Sequence, residues 1–241
     1  MLLKTRGIVL NQIPYNDNAV IASIYTEKSG RQSFWISGAK STRSLRKSSL
    51  FQPLFLLEME VMNVPRELKK IKEARNFPVY TSIPFDIHKT SMALFIAEVL
   101  SRSLPAEEPH QELFDFLWHS LITLDAEQEP VSNFHIYFIL RLTRYLGFAP
   151  TDNYSPTCSY FDYHTGHFTE HPPLHQHYLE KNISCHLHFF LSSPYTHCMN
   201  YPLNAEMRVT ILNKLLDYYD FHFDFPQKIL SLKILKEVYH F

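Results

Sequence analysis

The 241-residue chain holds only five glycines, Gly7, Gly30, Gly38, Gly147 and Gly166. None stand close enough together to build a Walker loop or a dinucleotide fingerprint, which excludes binding of ATP or NAD through those motifs. HExxH and GxSxG are absent too, removing the metalloprotease helix and the hydrolase nucleophile elbow. The three cysteines, Cys158, Cys185 and Cys198, are an odd set that does not read as a disulfide framework, and they are expected to be reduced. No stretch approaches the ~18 apolar residues of a membrane span, and the opening MLLKTRGIVL lacks the long apolar core of a signal peptide. A cytoplasmic location is the expectation.

What is present is ample material for a core, with 45% hydrophobic and 15% aromatic residues, enough for one large or two modest domains. The formal net charge of -1 conceals an asymmetry. Residues 1–75 carry thirteen Lys/Arg against six Asp/Glu, and the remainder ten against eighteen. A basic module joined to an acidic body is a composition suited to gripping a polyanion at one end. The stretch GAKSTRSLRKSSLFQP sharpens this, placing Lys40, Arg43, Arg46 and Lys47 within eight residues and no carboxylate among them.

Short alternating runs fill the first eighty residues: 5–13, 19–26, 31–37, 54–62 and 69–80. In the fourth, Leu57, Met59 and Val61 share one face while Glu58 and Glu60 share the other, the period of a half-buried strand. EKSGR puts Gly30 where a tight hairpin needs it. Five short strands predict a small barrel, and the OB-fold is the common barrel of this size that binds single strands. From about Pro84 the apolar spacing changes to three and four, predicting helices around 92–100, 113–124 and 131–146, the last capped by Gly147, with two more over 204–219 and 226–239. The fold class expected is therefore α+β: a five-stranded OB-fold barrel over 1–80, then a mostly helical domain over 81–241, with an irregular His-, Pro- and Tyr-rich insertion over about 149–202.

Small Ser and Thr spacers suit Lys40, Arg43, Arg46 and Lys47 to a loop whose long side chains reach phosphates. Lys4, Arg6, Lys28 and Arg31 are read as extending that face. Phe34 and Trp35 alternate on the preceding strand, so one can enter the core while the other offers a platform for base stacking. A solvated surface is the competing reading of such a charge run, and the barrel with its charge split favours nucleic acid over it. Catalysis is not expected, because fourteen histidines make chance groupings of Ser, His and Asp common. The insertion contains many metal-ligand types, but structural zinc sites use paired ligands such as CxxC. Here CSYF and CMNY place Phe161 and Tyr201 where the second cysteines would stand, so packing of aromatics and histidines is favoured over metal, and no cofactor is expected.

These residues resemble a known family, the bacterial recombination mediators of the RecO type. KTRGIVLNQIPYNDNAVIASIYTEKSGRQSFWISGAKSTRS is similar to that family's opening pattern, and LFQPLFLLEME looks like its Gln-Pro segment entering the fourth strand. FILRLTRYLGFAP resembles its central helix and following Leu-Gly-x-x-Pro, and ILSLKILKEV its last helix. The resemblance implies an N-terminal OB-fold, a helical C-terminal domain and no enzymatic turnover. It also implies binding of single- and double-stranded DNA, annealing of strands coated with single-stranded DNA-binding protein, association with RecR and with that protein's C-terminal tail, and indirect help in loading RecA at gaps. Its location would be cytoplasmic, at the nucleoid when on DNA. An acidic tail ending in an apolar residue needs a cation beside an apolar pocket, for which Arg141, Arg144 and Tyr145, near Phe138 and Leu142, are the candidates. Pairing of the same arginines with the acidic body is the alternative. Some members of the family hold zinc with two CxxC pairs; Cys158 falls at the first ligand position, but the paired positions are missing. The reading from another class is a protein-interaction adaptor whose barrel binds protein; a zinc-dependent hydrolase using the His-rich segment is a third.

Overall fold

A computed structural model describes residues 2–16, 19–37, 49–62, 68–105, 108–129, 131–223 and 229–239. The chain packs as two compact units, Met1–Ala126 with Ile229–Leu232, and Glu127–Lys228 with Lys233–Phe241.

In the first unit, among the described residues, β1 (Leu2–Asn16), β2 (Ala19–Thr26), β3 (Gly30–Ser37), β4 (Leu56–Met62) and β5 (Leu68–Asn76) close into a barrel in the order β1-β2-β3-β5-β4. β3 and β5 run parallel where they close it, and the other pairs are antiparallel, which is the OB-fold. Alternation does the sorting: Leu57, Met59 and Val61 turn into a core with Val9, Ile24, Phe34 and Phe51, while Glu58 and Glu60 turn out. The 15-residue β1 pairs with both β2 and β4, and register shifts after Val9 and Pro14 let it bend to do so.

Two helices complete this unit, α1 (Ile87–Ser103) and α2 (Gln111–Ala126). Asp86 caps α1 by accepting from the backbone N–H groups of His88 and Lys89. The Asp125 carboxylate, on the last turn of α2, accepts from the N–H groups of Thr81, Ser82 and Ile83 and so fixes the chain entering α1. Burial would raise its pKa, yet those donors outweigh burial and hold it below the usual value. The division expected at residue 80 thus marks the change from strand to helix, whereas the compact units part after Ala126.

In the second unit, α3 (Phe134–Leu146) ends at Gly147, whose φ of 86° makes the left-handed cap its position demanded. Residues 149–202 are not an irregular insertion. They hold a small sheet ordered β7-β6-β8, from β6 (Tyr160–Asp162), β7 (His167–Thr169) and β8 (Tyr178–Leu179), followed by α4 (Lys181–Ser192) and α5 (Tyr195–Met199). α6 (Ala205–Phe223) supplies Tyr218 and Tyr219, whose hydroxyls donate to the carbonyls of Phe148 and Ile139. Buried Asn133 donates to the carbonyls of Cys198 and Tyr201 and accepts from Arg208, tying α3 to the chain around α5. α7 (Ser231–Val238) closes the chain, and its first residues belong to the first unit, where Glu98 accepts from the N–H groups of Leu230 and Ser231.

Gly30 opens β3 with φ 62°, and a Cβ there would lie 2.4 Å from the Glu108 carbonyl oxygen. At Gly147, φ is equally left-handed but a Cβ would meet nothing within 4 Å. Gly147→Ala should therefore cost only the conformational strain, about 1–2 kcal/mol, and Gly30→Ala clearly more, because backbone must move as well. Urea unfolding followed by circular dichroism checks this, and equal losses would show that the close approach to Glu108 is no constraint.

Candidate nucleic-acid interface

The outer surface of the β1, β4 and β5 sheet carries charges in register. Lys4 lies opposite Glu60 and Glu60 opposite Glu73; Arg6 lies opposite Glu58 and Glu58 opposite Arg75. Arg75 donates to Glu58 at 2.6 Å and 2.9 Å. Lys72 is the extra residue where the β4/β5 register shifts, and its ammonium reaches Glu60 at 2.7 Å. These cross-strand pairs neutralise one another, so this sheet offers little net field to a polyanion.

Arg6 and Arg31, read from the sequence as phosphate contacts, are bonded within the unit instead. Arg6 donates to Glu27 at 2.8 Å and 3.1 Å and to Asp115 of α2 at 3.2 Å. Its guanidinium also lies 5.1 Å from the Phe114 ring centre and 5.0 Å from that of Trp118. The bond to Arg6 holds the Glu27 carboxyl below its usual pKa and raises that of Arg6 in return. Arg31 donates to the Ser23 hydroxyl and to the Ser101 carbonyl, and burial lowers its pKa. Lys28 sits in the hairpin with its backbone N–H on the Thr5 hydroxyl, and Lys4 is exposed on β1.

The β3/β5 closure is different. Phe34 enters the core, 1% exposed, and Trp35 turns outward, the alternation expected of that pair. The parallel register places Lys70 opposite Trp35, with its ammonium 5.3 Å from the ring centre, a contact worth about 0.5–1 kcal/mol where exposed. A cleft of about 460 Å³ opens beside them, walled by Ile36, Leu50, Phe51 and Ile71. Lys69 is half-buried on the same strand. Sequence reading passed over Lys69, Lys70 and Lys72, although the run LKKIK was in view; what it lacked was the long-range closure that sets Lys70 beside Trp35. Lys40, Arg43, Arg46 and Lys47 lie outside the described residues. In the sequence they fall between β3, which ends at Ser37, and a 3-10 turn at Ser49–Phe51, of which Leu50 and Phe51 wall this cleft.

In the second unit Arg141 donates to the Ser193 carbonyl and lies 5.1 Å from the Tyr137 ring centre, while Arg144 is exposed and Tyr145 half-buried. Phe138 and Leu142 are fully buried in the helix core, so they cannot line an open pocket beside those arginines. Cys158 is half-buried, its N–H on the Ser155 hydroxyl. His164 and His177 pack on Phe221, His175 stacks on His164, and His175 contacts Asp162 at 3.2 Å. Among the described residues no group of three or more His, Cys, Asp or Glu side chains is arranged to hold a metal ion. Nor is any described helix long and apolar enough to cross a membrane.

Two family models account for nearly the whole chain: "Recombination protein O N terminal" matches residues 1–77 and "Recombination protein O C terminal" residues 84–230. The chain belongs to the RecO family. It is 39% identical to the "DNA repair protein RecO" of Bacteroides fragilis, 37% to that of Phocaeicola vulgatus and 32% to that of Flavobacterium psychrophilum, covering 99% of this chain and 100% of each relative. The RecO N-terminal match ends one residue past β5 and the C-terminal match begins three residues before α1, so the matches meet in the segment that Asp125 fixes.

Replacing Arg6 by Met leaves a half-buried Glu27 without its charged partner, and should destabilise this RecO-family barrel by about 1.5–3 kcal/mol at pH 7. A carboxyl with a lowered native pKa stabilises above its unfolded value and loses that contribution as pH falls through the native one. The gap between the native chain and Arg6→Met should therefore narrow below about pH 4. Urea unfolding at pH 7 and pH 3.5 measures it; a gap independent of pH would mean that packing on Phe114 and Trp118, not charge, carries the effect.

Proposed function

We propose that this protein is a non-catalytic DNA repair and recombination mediator that binds single- and double-stranded DNA and anneals complementary strands. The observation that carries the reading is the distribution of charge on the barrel. Thirteen cations against six carboxylates lie in residues 1–75, and the β1/β4/β5 ladder cancels most of what it displays, so much of the surplus falls to Lys70 beside Trp35 and, in the sequence, to the run Lys40, Arg43, Arg46 and Lys47. Lys4, exposed on β1 but opposite Glu60, adds little to that field. Arg6 and Arg31 serve by holding the barrel rather than by touching phosphate.

Annealing follows from this arrangement without turnover. Two strands repel through their phosphates, and a protein that neutralises both lowers that repulsion with no fuel nucleotide and no cofactor. The names of the relatives support a role in DNA repair. The family resemblance supports the rest: strands coated with single-stranded DNA-binding protein as substrate, RecR as partner, and RecA loaded at gaps as the outcome, in the cytoplasm and at the nucleoid. Arg144 and Tyr145, with Arg141 behind them, are the proposed contacts for the acidic tail of the single-strand-binding protein.

Annealing of two complementary oligonucleotides, bare and coated with the cognate single-strand-binding protein, tests the reading. The native protein should accelerate both, and the triple variant Arg43→Glu, Arg46→Glu, Lys47→Glu should lose the effect. With about four to six phosphates engaged, log K for a single strand should fall against log salt with a slope of roughly −3 to −4. If the variant keeps its DNA affinity and neither substrate is accelerated, the protein is an adaptor whose barrel binds protein.

A further inference from the structure

We infer that the cleft between β3 and the turn at Ser49–Phe51 receives one unpaired nucleotide, with its base stacked on Trp35 and its phosphate taken by Lys70. This rests on the DNA-binding reading and goes beyond it, because it assigns the chemical form of DNA that the barrel distinguishes.

The argument starts from the walls. Ile36 and Phe51, 7% and 3% exposed, make an apolar floor, and Leu50 and Ile71 make apolar sides. Its volume of about 460 Å³ lies towards the small end of the range for ligand pockets and suits one nucleotide rather than a base pair. Among the described residues the polar groups at the mouth are Lys70, Lys72 and Glu73. Lys72 is held by Glu60, which leaves Lys70, resting on the indole, as the cation able to move. A base is a better partner for an indole face than an exposed ammonium is, since base stacking is the stronger of the two contacts. Entry of a base would shift the Lys70 ammonium off the ring, and the phosphate that arrives with the base gives it a new partner. An apolar peptide would fill the same floor but leave Lys70 with nothing in exchange.

The discrimination follows from geometry. In a duplex both faces of every base are covered by neighbours and its edge is paired, so a base reaches Trp35 only after unpairing and unstacking. Single strands should therefore gain the stacking contact while duplexes are held through phosphates alone. A strand that is to be annealed must also leave the cleft as its base pairs, so the site favours the substrate of annealing over its product.

Intrinsic fluorescence reads this directly, because the chain has two tryptophans and Trp118 is 4% exposed beneath Arg6. A mixed-sequence 20-mer and the same 20-mer as a duplex would be titrated at low salt, with anisotropy of labelled DNA reporting binding in parallel. Single strand at saturation should quench the emission substantially and duplex at saturation should barely change it. Trp35→Leu should weaken the single strand about tenfold and the duplex less than twofold, and Trp35→Phe should restore most of the loss. Lys70→Gln, which leaves the ring in place, should lower the salt slope for the single strand by about 0.7. Binding of both DNAs with equal quenching, or with equal losses in Trp35→Leu, would overturn the nucleotide cleft and leave the DNA-binding reading standing. Failure of either DNA to bind the native protein would overturn both.

Discussion

The position of Arg6 governs much of the first unit. A single guanidinium on β1 joins the β2/β3 hairpin, through Glu27, to helix α2, through Asp115, and covers Phe114 and Trp118. Tyr25 of β2 stacks on the same Phe114 at 6.2 Å, so the barrel wall and the helix share one aromatic seam. A five-stranded barrel of this size has a small core, and the seam enlarges it with side chains from outside the sheet. That is why the two helices after the barrel belong to its compact unit although the sequence changes character at residue 80. Glu108 against Gly30 adds a second point of contact, one that accepts no side chain.

The same economy of charge shapes the candidate interface. Cations on β1 and β5 that face Glu58 and Glu60 stabilise the sheet but are poor ligands for phosphate, since a carboxylate already competes for them. Cations without an opposing carboxylate are the ones that a polyanion can use cheaply. Counting basic residues in a segment therefore overstates the charge it can offer a polyanion, and sorting them by cross-strand partner corrects the count. By that sorting the barrel has one balanced sheet and a closure at which Lys70 lies against the outward-facing tryptophan.

How far the sequence disclosed this depends on the range of the interaction involved. β2 was expected over 19–26 and spans Ala19–Thr26, because its turn signals are local and its alternation is clean. Gly147 was legible as a cap for the same reason, a glycine directly after an apolar helical face. β6, β7 and β8 are two or three residues long, too short for any period to register, and α4 hides its Ile183, Leu187 and Phe190 face among Asn, Ser and His of modest helix propensity. Trp35 facing outward is legible from alternation alone, but Lys70 beside it depends on a parallel pairing between strands thirty-odd residues apart, and the pairing of Arg6 with Asp115 comes from more than a hundred residues away. Local signals specify elements; partners for charged side chains are set by closure of the chain.

In the proposed annealing role, hold and release pull against each other, and weak contacts of different kinds would resolve the conflict. Phosphate contacts are shared by single and double strands and fall steeply with salt, so they bring strands together without choosing between reactant and product. Stacking on an exposed ring is sequence-tolerant and available only to unpaired bases, so it supplies the preference that phosphate contacts lack. A deep, fully enclosed base pocket would hold the strand against pairing. A shallow cleft walled by Leu50 and Ile71, with Lys70 resting on the Trp35 ring, would make release of the proposed nucleotide a matter of exchanging one partner for another. Weak stacking combined with phosphate contacts is thus the arrangement that would let strands be held apart from their neighbours and still find each other.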